Sequence, residues 1–349
     1  MPSSELIGWF VDIGLADRLT VGGKGGSLGE LTRAGIPVPP GFVVRTAAFE
    51  KFLATVNRDQ SLRAQVEALR SDDLEKITTV SRRLREQVER APLPENVHSA
   101  IAAALVELCG KDNNPPLAVR SSATTEDAAD ASFAGLQDTY LWVIGAQAIV
   151  DRIRSCWASL YSVPSIAYRR KHGLPESGVA MAVVVQGMVN AQKAGVMFTR
   201  SPQTGDRSVV TIEGAWGLGS AVVSGEVTPD RWVIAKITGE ISVRDISDKH
   251  VRHLPAPGGG VRESETPDDL RRVPCLTDSE IFELRNIARS VERHYGRPQD
   301  IEWAIDQSGN TLLLQSRPET VWSAKERAPV AKAIDNPLQH VMKIFGGRQ

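Results

Sequence analysis

The stretch DIEWAIDQSGNTLLLQSRPET, residues 300–320, determines how the rest of this sequence is interpreted. Two runs that alternate apolar and polar residues flank a short polar segment at residues 307–310, and this pattern predicts a β-hairpin. We assume that Asp306 pairs with Thr311 across the loop. Antiparallel register then fixes every other cross-strand partner in the hairpin.

In this register Glu302 lies opposite Gln315, and Asp300 lies opposite Arg317. Because cross-strand partners share a face, we expect Glu302, Gln315 and Arg317 to converge. A carboxylate, an amide oxygen and a guanidinium held together on a hairpin would suit a polyphosphate bound to Mg²⁺. The other face is expected to be buried, and it carries Ile301, Trp303, Ile305, Leu312 and Leu314.

The composition bounds the class of protein. With 349 residues, of which 42% are hydrophobic, the chain suits two or three subdomains with a sizeable core. Lys and Arg number 41 against 42 Asp and Glu, so no net field favours nucleic acid or an anionic membrane. The sequence shows no signal-peptide pattern and no membrane-spanning apolar run, so we expect a cytoplasmic protein with no nucleic-acid or membrane partner. Three distant cysteines are expected to be buried thiols: Cys109, Cys156 and Cys275.

A glycine-rich segment, VGGKGGSLGELTRAGIPVPPGFVV, occupies residues 21–44. It predicts a loop, then a short helix from about Ser27 that stops at Gly35, then a strand. Backbone amides of the loop could approach an anion, with Lys24 as a point charge for phosphate. The P-loop pattern is not met, because Gly25 follows Lys24, and a surface turn with a solvated lysine is the alternative.

The segment LAVRSSATTEDAADASFAGLQDTYLWV, residues 117–143, follows a long helical region at residues 46–109. A short strand delivers Arg120 into a run of small and hydroxyl residues, and a second strand follows at residues 139–143. The run is expected to fold over a ligand as a lid, with a disordered linker as the alternative. Hydroxyl groups that could donate to phosphate oxygens are those of Ser121, Ser122, Thr124 and Thr125.

Residues 179–189, VAMAVVVQGMV, read as a buried strand that ends in an interdomain hinge. Backbone groups of such a hinge could bind the edge of an adenine while Met188 packs on the ring, although Met188 could equally be a core residue. The residues of this hinge are Gln186, Gly187, Met188 and Val189.

The C-terminal half contains further boundary signals. Residues 250–274 are rich in Pro, Gly and charge and predict a mobile surface excursion. Thr277 and Glu280 form a capping box that opens a helix, and Gly296 ends it. The tail after residue 322 is too short and too polar for another domain.

Four motifs in one order, VGGKGGSLGEL, LAVRSSATTEDAADASFAG, VVVQGMV and DIEWAID with LLLQSRP, resemble the N-terminal nucleotide-binding region of phosphoenolpyruvate synthase and pyruvate phosphate dikinase. Rifampicin phosphotransferase carries the same region. The resemblance implies an α+β fold of the ATP-grasp type, in which two lobes close on a nucleotide. The lobes would be residues 1–185 and 186–322, with residues 323–349 as a tail.

The resemblance also implies site residues and a reaction that cleaves ATP to AMP while phosphorylating a histidine. Lys24, Arg120 and Arg317 would be catalytic. Carried over by motif, the ligands of ATP and Mg²⁺ would be Lys24 and Arg120 for the polyphosphate, Gln186, Gly187, Met188 and Val189 for the adenine, Glu302 and Gln315 for Mg²⁺, and Arg317 for the transferred group.

Two departures shape the functional expectation. Ser220 stands where a glutamate is expected, and none of the six histidines lies in the Thr-Ser-His context of the phosphoacceptor in the full-length family. We therefore expect the ATP-binding subunit of a split phosphotransferase similar to phenylphosphate synthase. It would phosphorylate a histidine on a partner subunit in trans, and that partner would bind a small acceptor such as phenol. The alternatives are an ATP-binding fragment of a rifampicin phosphotransferase or phosphoenolpyruvate synthase, and a non-catalytic ATP-sensing module.

Overall fold

A computed structural model describes residues 3–57, 61–111, 113–124, 127–128, 131–132, 138–320 and 322. Helices and strands are mixed along this part of the chain. The helices are α1 (Ser3–Leu6), α2 (Arg18–Arg33), α3 (Thr46–Val56), α4 (Leu62–Glu67), α5 (Leu74–Arg90), α6 (Glu95–Cys109), α7 (Ala146–Ser159), α8 (Val163–Lys171), α9 (Ser220–Val223), α10 (Asp268–Arg271) and α11 (Asp278–Tyr295).

The strands form two large sheets and two short pairs. They are β1 (Ile7–Trp9), β2 (Gly41–Val44), β3 (Leu117–Ala123), β4 (Asp127–Ala128), β5 (Ala131–Ser132), β6 (Thr139–Val143), β7 (Met181–Gly187), β8 (Ala191–Phe198), β9 (Val209–Trp216), β10 (Asp230–Ala235), β11 (Ile241–Asp245), β12 (Val251–Pro255), β13 (Val261–Glu265), β14 (Gln299–Asp306) and β15 (Thr311–Pro318).

The first sheet has five strands in the order β1-β2-β7-β3-β6. Its central strand β7 is apolar from Met181 to Val185 because both faces are covered. Val183 and Val185 face the main core, which joins this sheet to α3, α5, α6 and α7, and Ala182 and Val184 face a second cluster with α2. The helical region was predicted correctly, including the break at the prolines between α5 and α6.

The second sheet has six strands in the order β11-β10-β9-β8-β14-β15. Helix α11 packs on one face through a buried apolar stripe, with Trp232 and Trp303 fully buried beneath it; the stripe consists of Ile281, Leu284, Ala288 and Val291. The predicted capping box is confirmed, since Thr277 accepts from the Glu280 amide and Glu280 reaches back to Thr277. Gly296 ends the helix in the left-handed conformation, also as predicted.

Helix α2 joins the two sheets, and it corrects the prediction of a glycine-rich loop. The segment is helical from Arg18, with a single break at Gly22, where φ is 72°. A Cβ at Gly22 would lie 2.1 Å from the carbonyl oxygen of Ser122, so close backbone approach explains this glycine. One part of α2 packs on the first sheet, whereas Leu31 belongs to the core of the second. Packing overrides the low helix propensity of glycine here.

The hairpin of β14 and β15 pairs Glu302 with Gln315 and Asp300 with Arg317, as predicted. The opposing pairs lie two residues apart on each strand, so both project from one face. On its other side β14 pairs with β8, which holds the hairpin within the second sheet.

The assumed pairing next to the loop is wrong, because Thr311 lies opposite Ile305 and not opposite Asp306. A β-bulge next to Glu302 absorbs this difference of one residue, since the partner of Trp303 is residue 313. The wrong pairing at the loop shifts the predicted register by one residue, and the bulge, which was not predicted, shifts it back. For this reason the pairing of the polar residues is right although the premise is not.

The bulge changes which leucines are buried with Trp303. Leu313 is fully buried there, whereas Leu314 has no cross-strand partner in the hairpin ladder. The prediction that Leu312 and Leu314 share the buried face is therefore wrong. Both pack instead in a small cluster with Ala304 on the opposite side of the sheet.

Two further predictions are corrected. Strand β3 extends to Ala123, so Ser121 and Ser122 lie inside a strand and not in a loop. Residues 250–274 are not an irregular excursion, because β12 and β13 form an antiparallel hairpin and α10 follows. Of the cysteines, Cys156 and Cys275 are buried but Cys109 only half-buried, and all three are thiols.

Several predictions fall on residues outside the described part of the chain. Most of the predicted lid lies there, apart from residues 121–124 and the backbone of β4 and β5, and so do Thr125 and the tail after residue 322. Among the described helices, none has the length and apolar character needed to cross a bilayer.

Candidate functional site

A cavity of about 390 Å³ lies between the two sheets. It has an apolar end and a charged end. The structure brings together all nine residues that the motifs assigned to a site, and these are Lys24, Arg120, Gln186, Gly187, Met188, Val189, Glu302, Gln315 and Arg317.

Arg120 crosses from the first sheet to the second at the charged end. It is only 7% exposed, and its Nη2 donates to Glu302 Oε2 at 2.9 Å and to Gln315 Oε1 at 2.6 Å. Its Nη1 donates to the carbonyl oxygen of Leu314 at 2.7 Å. The bulge makes this last bond available, because Leu314 has no partner in the hairpin ladder.

Glu302 and Gln315 also fit the prediction of a magnesium site. Both point oxygen atoms at the same guanidinium, so a carboxylate and an amide oxygen lie side by side on the hairpin face. Mg²⁺ prefers such hard oxygen ligands and usually takes few from the protein, with substrate phosphates and water completing the octahedron. In this structure, however, both oxygens are engaged by Arg120. The buried Nε of Arg120 has no hydrogen-bond partner in the described part of the chain.

Asp300 and Arg317 form the second pair on this face. Arg317 Nε lies 3.5 Å from Asp300 Oδ2, and the arginine side chain is 48% exposed at the edge of the cavity. Burial raises the pKa of Asp300 to about 6, and the nearby charge of Glu319 adds to this, while attraction to Arg317 opposes it. The pair therefore contains an aspartate whose pKa of about 6 lies well above that of an exposed carboxyl group.

Lys24 lies in α2, two residues after the break at Gly22, and lines the cavity. The Ser122 hydroxyl fixes this turn, because it donates to the Val21 carbonyl oxygen and accepts from the Gly25 amide. The helix α2, and not a flexible loop, therefore determines where Lys24 enters the cavity.

The prediction that the strand hydroxyls donate to phosphate is wrong for two residues. Ser121 and Ser122 are fully buried and donate to the backbone carbonyls of Asp138 and Val21. Thr124 makes only a long bond, 3.4 Å, to the Ala180 carbonyl oxygen.

The hinge after β7 forms the apolar end. Gln186 is buried and its side chain donates to the Pro39 carbonyl oxygen, while the Gly187 and Met188 amides donate to the carbonyl oxygens of Pro40 and Pro116. These groups hold the hinge in place and do not face a ligand. Within the described residues, the Met188 carbonyl and the Val189 amide carry no hydrogen bond. The apolar cluster beside them includes Leu218, Ala304 and Leu314.

Some lining residues were missed. Leu218 and Gly219 come from the turn between β9 and α9, where two glycines around one leucine are too weak a pattern to predict a site. Ser220 also lines the cavity, and its Oγ lies 2.8 Å from His253 Nδ1. No local pattern links these two residues, which are 33 positions apart in sequence.

Solved structures provide only a weak comparison. An L-amino acid ligase from Bacillus licheniformis is similar over 71% of this chain and 44% of its own, at 12% identity and a TM-score of 0.25. A TM-score at this level does not establish a shared fold.

Curated relatives match far more closely. A probable phosphoenolpyruvate synthase of Methanocaldococcus jannaschii is 40% identical over 99% of this chain and 29% of its own length. That of Methanothermobacter thermautotrophicus is 43% identical over 90% of this chain and 46% of its own. A rifampicin phosphotransferase of a Streptomyces species is 41% identical over 91% of this chain and 36% of its own length. The chain thus spans less than half the length of these relatives.

These names agree with the alternative interpretation of the sequence, an ATP-binding part of a phosphoenolpyruvate synthase or rifampicin phosphotransferase, better than with phenylphosphate synthase. The family model described as pyruvate phosphate dikinase, AMP/ATP-binding domain, matches residues 18–337. That match covers most of the sequence and includes the cavity and every strand of the two large sheets except β1. The chain belongs to the family of pyruvate phosphate dikinase AMP/ATP-binding domains.

Proposed function

We propose that this chain binds MgATP in the cavity between the two sheets and begins an AMP-forming phosphoryl transfer to a histidine. It would be the ATP-binding part of a phosphotransferase of the phosphoenolpyruvate synthase or rifampicin phosphotransferase type. The observation that carries the proposal is Arg120, which reaches from one sheet to Glu302 and Gln315 of the other inside the cavity.

The proposed fold is ATP-grasp, with lobes at residues 1–185 and 186–322 that close on the nucleotide. In support, the last strand of the first sheet along the chain is β7, and β8 begins the second sheet only four residues later. Each sheet supplies one side of the cavity. Arg120 comes from the first sheet and Lys24 from α2, which packs on it, whereas Glu302, Gln315 and Arg317 come from the second.

At the apolar end, the adenine would lie against Met188, Leu218 and Ala304. The Met188 carbonyl would accept from the adenine amino group, and the Val189 amide would donate to the neighbouring ring nitrogen. Both groups carry no other hydrogen bond in the described residues, which fits an edge that pairs with a base.

At the charged end, Lys24 and Arg120 would hold phosphate oxygens, and Glu302 with Gln315 would hold Mg²⁺. Bound Mg²⁺ would neutralise charge on the phosphates. Arg317 would stabilise the charge that develops during transfer, and its half-exposed position lets it reach an incoming acceptor. Phosphoryl transfer depends mainly on positioning and charge neutralisation, and these side chains supply both.

The acceptor histidine is proposed to lie outside this cavity, on a partner subunit or another domain that passes the group to a small molecule. Two histidines of the chain have structural partners, His253 with Ser220 and Glu226 and His294 with Glu30. The similarity to phosphoenolpyruvate synthase and rifampicin phosphotransferase favours acceptors of those types over phenol.

The test has two steps. Calorimetric titration of the purified chain with MgATP should show one binding site, with Arg231→Ala as a surface control, and Arg120→Ala should weaken it. The chain is then incubated with radiolabelled ATP and a histidine-bearing domain of a phosphoenolpyruvate synthase. AMP and an acid-labile phosphohistidine are expected. Binding without turnover in every combination would favour the ATP-sensing alternative, and absence of binding would contradict the proposal.

A further inference from the structure

Three side chains form a hydrogen-bonded chain at the wall of the cavity. Ser220 Oγ lies 2.8 Å from His253 Nδ1, and His253 Nε2 lies 2.9 Å from Glu226 Oε2. Ser220 lines both this cavity and an adjoining one of about 580 Å³, so its hydroxyl lies at their junction. The three residues come from the start of α9, from β12 and from the turn after α9.

The order of these groups fixes the direction of each bond. Hydrogen bonds from Ser224 and His253 lower the pKa of Glu226, so its carboxylate is ionised and can only accept. His253 Nε2 must therefore carry the proton that it donates. In the neutral ring Nδ1 is then an acceptor, and the Ser220 hydroxyl donates to it. The lone pairs of Ser220 Oγ are left to accept from a group in the cavity.

The position of His253 is well defined by its backbone. Its carbonyl oxygen accepts from the Leu218 amide at 2.9 Å, and a Cβ at Gly217 would lie 2.4 Å from that oxygen. The cross-strand partner of His253 is Glu263, whose carboxylate also lies close to the ring.

The base of this hairpin is anchored as well. Lys249, just before β12, is fully buried and its Nζ lies 2.6 Å from Asp230 Oδ1. Supports of this kind hold a polar side chain in one orientation, which recognition of a single hydroxyl requires.

The chemistry of ATP indicates which group Ser220 would face. ATP has an apolar base, a charged polyphosphate and, between them, a sugar with two hydroxyls that can donate. The base and the phosphates are matched by the two ends of the cavity. Three hydroxyl side chains line it elsewhere, those of Thr139, Ser220 and Ser224, and Ser220 is the one oriented by an imidazole.

We propose that Ser220 Oγ accepts a hydrogen bond from a ribose hydroxyl of bound ATP, and that His253 and Glu226 are positioning residues that hold Ser220 in the accepting orientation. This inference rests on the proposed function. The consequence is selectivity for the sugar: the chain would bind ATP more tightly than one of its two analogues, 2′-deoxyATP or 3′-deoxyATP. A neutral hydrogen bond of this kind corresponds to about a three- to tenfold difference in Kd.

The experiment measures Kd by calorimetry for ATP, 2′-deoxyATP and 3′-deoxyATP with Mg²⁺. The wild-type chain should bind one deoxy analogue about three- to tenfold more weakly than ATP. Ser220→Ala should bind all three with Kd values within about twofold, because the acceptor is gone. Thr139→Val, whose hydroxyl also lines the cavity but lies outside the chain from Ser220 to Glu226, is the matched control and should keep the wild-type ratio.

The positioning role is tested by two further variants. His253→Phe should lose the selectivity, whereas His253→Gln, whose amide oxygen can accept from Ser220, should restore part of it. A purely structural role would change the Kd of every nucleotide by the same factor and leave the ratios intact. An unchanged ratio in Ser220→Ala would overturn this inference alone. If the wild-type chain bound none of the nucleotides, the proposed function would fail together with it.

Discussion

Arg120 of β3 and Glu302 of β14 are 182 residues apart in sequence, and their side chains form an ion pair of 2.9 Å in the cavity between the sheets. Gln315 shares the same guanidinium. An arginine that would hold phosphate is thus bound to the two oxygens that would hold Mg²⁺. Arg120 and a metal ion would compete for these oxygens, so we expect metal binding to shift Arg120 towards a phosphate.

The first prediction is that metal ion and nucleotide bind together. Mn²⁺ alone would leave Arg120 buried without its partner, which costs about 3 kcal/mol or more. When ATP is bound, its phosphate oxygens replace Glu302 as the partner of Arg120. Calorimetry or electron paramagnetic resonance should therefore show Mn²⁺ binding roughly 100-fold more weakly without a non-hydrolysable ATP analogue than with it.

Arg120→Met should strengthen Mn²⁺ binding in the absence of nucleotide, because Glu302 and Gln315 are released. Arg231→Met removes an ion pair on the surface, with Asp245, and should leave Mn²⁺ binding unchanged. Equal affinity of the wild-type chain for Mn²⁺ with and without nucleotide would contradict the exchange.

The second prediction separates transfer from binding. Arg317→Ala should lower the rate of phosphohistidine formation by roughly 10³-fold, because the guanidinium of Arg317 would stabilise charge mainly in the transition state. The Kd for MgATP should change little, and the fold should persist because the side chain is half-exposed. Arg244→Ala, which breaks a surface pair with Asp278, is the control. A transfer rate in Arg317→Ala equal to that of the control would disprove the assigned role.

The third prediction concerns the break in α2. Gly22→Ala combines a positive φ with a Cβ only 2.1 Å from the Ser122 carbonyl oxygen. Urea unfolding should show a loss of about 2 kcal/mol or more. Gly110→Ala has a similar φ of 81° but no atom within 4 Å of the new Cβ, so it should lose only about 1 kcal/mol. Equal losses in the two variants would mean that the contact with Ser122 contributes nothing.

The fourth prediction is a pH dependence of stability. The pKa of Asp300 is about 6 in the native state against 3.8 ordinarily, so between these values the folded chain binds more protons than the unfolded chain. Stability from this group is therefore lost as pH rises towards 6. From pH 5 to pH 8 the wild-type chain should lose about 1.4 kcal/mol of stability relative to Asp300→Asn, because roughly half of the total loss already occurs below pH 5.

Asp306→Asn is the control for this measurement. Hydrogen bonds from Asn310 lower the pKa of Asp306, so that carboxylate stays ionised throughout the range. Its difference from the wild-type chain in free energy of unfolding should be the same at both pH values. A constant difference for Asp300→Asn as well would show that Asp300 does not titrate near pH 6.

Local pattern accounts for what the sequence predicted well. The alternation of apolar and polar residues along residues 300–320 can be read from adjacent positions in the sequence, and it was enough to pair Glu302 with Gln315. The bulge at Leu314 was not predictable, because one extra residue leaves the alternation almost unchanged while it moves two leucines to the other face. The helical form of the glycine segment was missed for a different reason, since close packing against Ser122 outweighs glycine's low helix propensity.

The nine predicted site residues lie in one cavity because motif order carried information from the family that spacing alone did not. Contacts between distant segments had no such signal. The link from Ser220 to His253 depends on where the hairpin of β12 and β13 packs, and its sequence of Pro, Gly and charge suggested an irregular segment instead.

The most direct test of the central claim is a crystal structure of the chain with Mg²⁺ and a non-hydrolysable ATP analogue. The account predicts the base against Met188, the metal ion on Glu302 and Gln315, and the Arg120 guanidinium turned from Glu302 to a phosphate oxygen. A nucleotide bound outside this cavity, or Arg120 still paired with Glu302 beside a bound nucleotide, would contradict it.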